Sequence, residues 1–248
     1  MNIASIKAGA PRIWVTRTEP GASETAERLI GLGFAPVVAP LLRAQARRIA
    51  PALEGVAALA FTSPNGVAAY AGATDVRDLP VFAVGDRTAA AARAVGFPDV
   101  ESADGDLRDL VALISAKRAI LDGVVLRPGT SEPAGDIVAA LAAHGVLCRS
   151  EAIYDVVAVE AGEVVAPLGS LDLTAVLVHS PRAGRRLAEL ARGRATTKPL
   201  AVGISPAAVE PLRTVGWENL AIADRPNEAA LLAALAAATR FEDATPRV

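Results

Sequence analysis

The sequence predicts an α/β fold built on parallel sheets, and three observations carry that prediction. Short continuous apolar runs alternate with segments of helical periodicity, as strands buried on both faces beneath covering helices require. Four helical segments stop at a glycine followed by an apolar residue: Gly33-Phe34, Gly96-Phe97, Gly145-Val146 and Gly216-Trp217. Glycine enters the left-handed conformation that ends a helix at little cost. Third, the chain states one strand-turn-helix phrase twice. Leu59-Ala60-Phe61-Thr62-Ser63-Pro64-Asn65-Gly66-Val67 is matched by Val176-Leu177-Val178-His179-Ser180-Pro181-Arg182-Ala183-Gly184. Val81-Phe82-Ala83-Val84-Gly85-Asp86-Arg87-Thr88 is matched in turn by Leu200-Ala201-Val202-Gly203-Ile204-Ser205-Pro206-Ala207. Ser63 and Ser180 are 117 positions apart and Gly85 and Gly203 are 118 apart, which sets Gly85 opposite Gly203 in an internal duplication.

The elements follow in order. Residues 1–11 read as a frayed leader, and Ile13 to Arg17 as a short buried strand. Residues 20–32 carry a helical pattern through Ala22, Ala26, Leu29 and Ile30 up to Gly33, and Phe34 to Val38 is extended again. Further helices are expected over 88–95, 107–118, 134–144 and 206–215. Trp14-Val15-Thr16-Arg17 with its helix resembles Val124-Val125-Leu126-Arg127 with the helix after Pro133, which sets Arg17 opposite Arg127. Calling this stretch the front segment and the twice-stated Ser-Pro phrase the back segment, the chain order is front, back, front, back. A tight turn separates the 107–118 helix from strand 123–127, whereas residues 40–56 and 155–172 are longer connections containing proline or glycine. Domain boundaries fall in such connections. Two similar lobes are expected, one from residues 1–39 plus 157–248 and one from 41–156, with two crossing strands and a cleft between them.

Composition narrows the function. Of 248 residues, 52% are hydrophobic and 21% charged, a soluble globular balance, and the net charge of −2 gives no bias towards nucleic acid or membrane. The single cysteine, Cys148, rules out an internal disulfide and fits a reducing, cytoplasmic location. With only His144 and His179 beside it, no Cys/His zinc site is expected. No apolar run approaches the roughly 18 residues of a membrane span.

Ligands of open parallel sheets bind beyond the carboxyl ends of the strands. The turns there are polar: Thr16-Arg17-Thr18, Thr62-Ser63-Pro64-Asn65, Gly85-Asp86-Arg87-Thr88, Arg127-Pro128-Gly129-Thr130-Ser131, His179-Ser180-Pro181-Arg182 and Gly203-Ile204-Ser205-Pro206. Serine before proline suits a helix start, so capping alone explains Ser63, Ser180 and Ser205 one at a time. Together, several helix N-termini with Arg17, Arg87, Arg127 and Arg182 nearby make a receptor for a multiply anionic molecule. There is no Walker loop, no G-x-G-x-x-G and no nucleophile elbow, which disfavours a nucleotide or sugar-phosphate enzyme. His179 stands at a strand end where it serves as a proton carrier or, like Thr62 in the other copy, as a hydrogen-bonding group.

The ordered set resembles the uroporphyrinogen-III synthase family over roughly residues 12–238. The resemblance rests on the Thr-Arg after the first strand, Phe61-Thr62-Ser63-Pro64-Asn65-Gly66-Val67, Ala83-Val84-Gly85 with Thr88-Ala89, the second Ser-Pro turn, Ala201-Val202-Gly203 and Tyr154. It implies two flavodoxin-like parallel-sheet lobes joined by a two-stranded linker. It also implies cyclisation of hydroxymethylbilane, a linear tetrapyrrole with eight carboxylates, to uroporphyrinogen III without a cofactor or metal. Tyr154 is then the donor to the departing hydroxyl, and Thr16, Arg17, Thr62, Ser63, Asn65, Thr88, Arg127, His179, Ser180 and Ser205 are substrate-binding. Where the family has Thr-Ala, this chain has Ser205-Pro206, so Ser205 is expected to replace the lost hydroxyl. The expected protein is a cytoplasmic monomer that meets the preceding pathway enzyme transiently. A non-catalytic two-lobed sensor of an anionic small molecule is the alternative.

Overall fold

The structure, a computed structural model, describes residues 9–47, 49–133, 135–162, 173–193 and 199–243. Most of the expected leader, residue 134 of an expected helix and residues 163–172 of the second expected connection lie outside the described residues. The elements begin with β1 (Arg12–Val15), α1 (Gly21–Gly31), β2 (Ala35–Val38) and β3 (Leu42–Ala46). Then come β4 (Val56–Phe61), α2 (Pro64–Ala73), β5 (Val81–Ala83), α3 (Asp86–Ala94), β6 (Val100–Ser102) and α4 (Leu107–Ala116). β7 (Val124–Thr130), α5 (Ile137–Ala142) and β8 (Cys148–Ala158) follow. The chain continues through β9 (Leu173–Val178), α6 (Pro181–Ala191), β10 (Leu200–Gly203), α7 (Pro206–Arg213), β11 (Leu220–Ile222) and α8 (Glu228–Asp243).

Two compact units result, one of Met1–Arg43 with Val157–Val248 and one of Ala44–Val156. The first unit's sheet runs β2-β1-β9-β10-β11, with every pair parallel. In the unit's own chain order that is 2-1-3-4-5, the flavodoxin-like order, and its topological switch lies between β1 and β9. The second unit's sheet runs β3-β8-β7-β4-β5-β6, with parallel pairing from β8 through β6. Here the strand pair β7-β8 stands where β1-β2 stands in the first unit, but it comes later in the chain. The duplicated sheets share one spatial order, and the second unit's switch lies between β7 and β4.

At the edge, Arg47 N–H donates to the Ile153 carbonyl at 2.8 Å and Val159 N–H to the Leu41 carbonyl at 3.0 Å. One index rises as the other falls, so these two segments run antiparallel.

Burial on both faces explains the continuous apolar strands. In the second unit, Ala58 packs with Leu110, Ile114, Ile137 and Leu141, while the adjacent Leu59 packs with Phe61, Tyr70, Phe97 and Tyr154. Neighbouring strand residues thus serve opposite faces. In the first unit Ile13, Val15, Leu29, Leu177, Val202 and Leu231 form one such layer. The helix-stopping glycines stand as expected: Gly33 and Gly145 have φ of +86° and +70°.

Three expectations are corrected. Trp14 pairs with Val176, and Leu59, the counterpart of Val176, pairs with Leu126. Trp14 therefore corresponds to Leu126, Val15 to Arg127 and Arg17 to Gly129, two places from the alignment read off the apolar runs. Valine and leucine runs look alike at several registers; the spacing of 112 between Gly33 and Gly145 is the one the sheet keeps. Second, Val84 N–H donates to the Phe61 carbonyl at 3.0 Å as Ile204 N–H donates to the Val178 carbonyl at 2.9 Å. Gly85 is thus matched by Ser205, each preceding its helix, and Thr88 by Ala208, so Ser205 does not replace the Thr88 hydroxyl. Third, Arg127-Pro128-Gly129-Thr130 is the second half of β7 rather than a turn. It keeps pairing with β8, Arg127 opposite Ser150 and Thr130 opposite Tyr154, after the pairing with β4 has ended at Leu126. One free side makes room for Pro128.

Candidate functional site

In the first unit, the groups gather at the switch between β1 and β9. Thr16, fully buried, donates from Oγ1 to the Leu177 carbonyl at 2.6 Å and ties the two strands together just before their turns. Arg17 follows on one side and His179 on the other. Glu228 arrives from far along the chain as the first residue of α8, behind Asn227, whose Oδ1 accepts from Ala230 N–H at 2.9 Å. An acidic residue suits this first turn, where unpaired N–H groups leave partial positive charge.

Glu228 collects three partners. Its Oε2 accepts from Arg17 Nη1 at 2.8 Å and lies 3.1 Å from His179 Nε2, and its Oε1 accepts from Thr25 Oγ1 at 2.6 Å. An ionised carboxylate only accepts, so His179 donates from Nε2. Burial alone would raise the Glu228 pKa. Hydrogen bonds from His179 and Thr25 and the charges of His179 and Arg17 outweigh it and hold the carboxyl down at about 2. Arg17 and His179, read in sequence as receivers of a foreign anion, thus meet on an internal one. Sequence reasoning missed Thr25 and Glu228. The cap at Asn227 and the acidic first turn were visible, but nothing local names a partner 211 residues away.

Ser180 caps α6, its hydroxyl accepting from Ala183 N–H at 3.1 Å. Ser205 holds the same position before α7 but makes no side-chain capping bond.

In the second unit, Ser63 caps α2 by accepting from Gly66 N–H at 3.2 Å. The same Oγ lies 3.2 Å from the Tyr154 hydroxyl. Tyr154 extends from β8 into the core and is 4% exposed, so its hydroxyl sits at the helix start while its ring is packed away. Asn65 is half-buried in the first turn of α2. Thr88 is buried in the first turn of α3, its N–H donating to the Gly85 carbonyl at 3.0 Å.

Arg127 and Thr62 meet at a cavity of about 210 Å³ lined also by Val84, Leu107, Gly135 and Ile137. Arg127 is 3% exposed. Its Nη1 donates to the Thr130 carbonyl at 2.9 Å and the Ser150 hydroxyl at 3.0 Å, and its Nε has no partner. Burial pulls the guanidinium pKa below its ordinary value.

The structure thus brings together Arg17 with His179 and Thr16 in one unit, and Ser63 with Tyr154 and Thr62 with Arg127 in the other. Among the described residues no group of three or more His, Cys, Asp and Glu side chains is placed to hold a metal ion. The chemistry on offer is hydrogen bonding and positive charge.

No curated protein matches the sequence. Solved structures do. A uroporphyrinogen-III synthetase from Helicobacter pylori is 16% identical, with a TM-score of 0.63 over 93% of this chain and 100% of that one. A mutant uroporphyrinogen III synthase from Thermus thermophilus is 17% identical, with a TM-score of 0.51 over 94% of this chain and 100% of that one. At such identities these likenesses establish the fold. The family follows from a profile described as HEM4, uroporphyrinogen-III synthase HemD, which matches residues 23–233. That span takes in most of both units and all but two of the site residues read from the sequence, and the chain belongs to the uroporphyrinogen-III synthase family.

Proposed function

We propose that the protein converts hydroxymethylbilane to uroporphyrinogen III with Tyr154 as the donor to the departing hydroxyl and Ser63 as its positioning partner. The family is one of cyclising lyases of haem biosynthesis. The hydroxymethyl carbon loses its oxygen as water, and the resulting cation is attacked by the substituted carbon of ring D. The spiro intermediate then opens to invert that ring, and the macrocycle closes at the free carbon of ring D, which loses its proton and so balances the one that Tyr154 gave.

The observation that carries the reading is the 3.2 Å approach of Tyr154 and Ser63 inside the span that the family profile matches. Ser63 Oγ already accepts the Gly66 N–H. When its own proton lies towards the Tyr154 oxygen, the phenolic O–H is left to protonate the departing hydroxyl. A positioned proton donor contributes roughly 10²- to 10⁴-fold. Holding the flexible chain for attack at the substituted carbon contributes through orientation.

The substrate's eight carboxylates need cationic and N–H donors. Thr62, Asn65, Thr88 and Arg127 supply them in one unit, and Thr16, Arg17, His179, Ser180 and Ser205 are assigned to the same task in the other. The functional division assigned here is into lobes of residues 1–39 plus 157–248 and 41–156. The protein acts as a cytoplasmic monomer, without cofactor, and takes its unstable substrate from the preceding pathway enzyme in a transient encounter. No helix among the described residues is long and apolar enough to cross a membrane. The test is consumption of freshly made hydroxymethylbilane: the purified protein alone removes it faster than spontaneous closure, and an unchanged rate contradicts the proposal.

A further inference from the structure

The duplicated sheets allow the two switch regions to be compared position by position. Thr25 in α1 corresponds to Ile137 in α5, at the spacing of 112 that relates Gly33 to Gly145. His179 corresponds to Thr62, at the spacing of 117 that relates the capping serines. Glu228 corresponds to Leu107, each the first residue of the helix after its unit's last back strand and each preceded by a capping side chain, Asn227 or Asp106. Ile137, Thr62 and Leu107 all line the 210 Å³ cavity. Three positions that hold or bond a carboxylate in the first unit therefore enclose a cavity in the second.

The cationic group is present there too. Arg127 enters from the strand position that Val15 fills in the first unit, and it is 3% exposed. It makes no ion pair among the described residues; its only bonds are to the Thr130 carbonyl and the Ser150 hydroxyl, and Nε has none. A buried guanidinium without a carboxylate is costly, and the fold that supplies Glu228 to Arg17 supplies leucine to Arg127. The cavity is smaller than the roughly 300–1,000 Å³ of pockets that take whole drug-sized ligands.

We infer that this cavity is a carboxylate subsite in which Arg127 binds one carboxylate arm of the substrate, occupying the place that Glu228 occupies in the other unit. The arm's identity rests on hydroxymethylbilane being the substrate; the carboxylate specificity does not. Propionate is the probe. The protein's thermal unfolding midpoint is measured at 100 mM sodium propionate against sodium chloride of equal ionic strength, for the parent, Arg127→Met and Leu107→Glu. The parent is expected to gain about 1–3 °C in propionate and both variants none, the first for want of the guanidinium and the second because its own carboxylate fills the site. The KM for hydroxymethylbilane rises roughly tenfold in both variants. An equal gain in parent and Leu107→Glu, or no gain in any, overturns the inference, and Leu107→Glu decides it even if Arg127→Met fails to fold. A parent that responds to propionate yet leaves hydroxymethylbilane to close spontaneously overturns the substrate and leaves the subsite standing.

Discussion

Arg17 and Glu228, 211 residues apart in the chain, stand 2.8 Å apart at the switch of the first unit's sheet. Their side chains are 20% and 14% exposed, so the pair is largely sheltered from screening. With Thr25 and His179 it fastens the last helix onto the first strand and helix, closing the unit's discontinuous chain.

That fastening is pH-dependent with a definite sign. The Glu228 carboxyl is held down at about 2 against an ordinary 4.5. A depressed carboxyl contributes stability in full above its unfolded pKa and loses it as pH falls through the folded value. The contribution is therefore complete above about pH 5 and lost between there and about pH 2, on the order of 3 kcal/mol in all. Glu228→Gln is expected to lose that amount at pH 7 by urea unfolding and to approach the parent near pH 2. A parallel offset at every pH contradicts the assignment.

Ser63 and Tyr154 are separable. Tyr154→Phe keeps the packed ring and removes the donor, and is expected to slow type III formation by about 10²-fold with KM little changed. Ser63→Ala removes a cap and costs about 1 kcal/mol of stability, with a smaller loss of rate. Equal kinetics for Tyr154→Phe and the parent remove the tyrosine from the mechanism.

Gly184 lies where α6 meets α7, and a Cβ there would run into the Ala208 carbonyl. Backbone cannot retreat as a flexible side chain can, so Gly184→Ala is expected to destabilise the first unit by roughly 1–3 kcal/mol. Urea unfolding measures it, and an unchanged midpoint contradicts the close approach.

Cys148 begins β8, and burial pushes its thiol up to about 11, with Arg127 pulling the other way. Alkylation by iodoacetamide at pH 8 is expected to be roughly 100-fold slower than for an exposed cysteine, because the thiolate is the reacting form. Reaction at the rate of a free thiol rejects that environment.

The landmarks that carry their own physics were legible in the sequence. Gly33 and Gly145 sit at positive φ as helix stops must. Ser63 and Ser180 accept the N–H bonds that a Ser-Pro helix start predicts. Legibility failed where pattern gave no landmark: Val15 and Arg127 share a sheet position, yet an apolar run with an arginine after it invites the match of Arg17 to Arg127 instead. Glu228 was silent for another reason. Its meaning lies in Arg17, Thr25 and His179, contacts that exist only once the sheet has brought both ends of the chain together.

An enzyme of this kind controls which isomer forms, and the product isomers report that control. Purified protein is given freshly made hydroxymethylbilane, the products are oxidised, and the porphyrin isomers are separated. Mainly the type III isomer is expected, formed faster than spontaneous closure. Type I alone, at the spontaneous rate, contradicts that expectation.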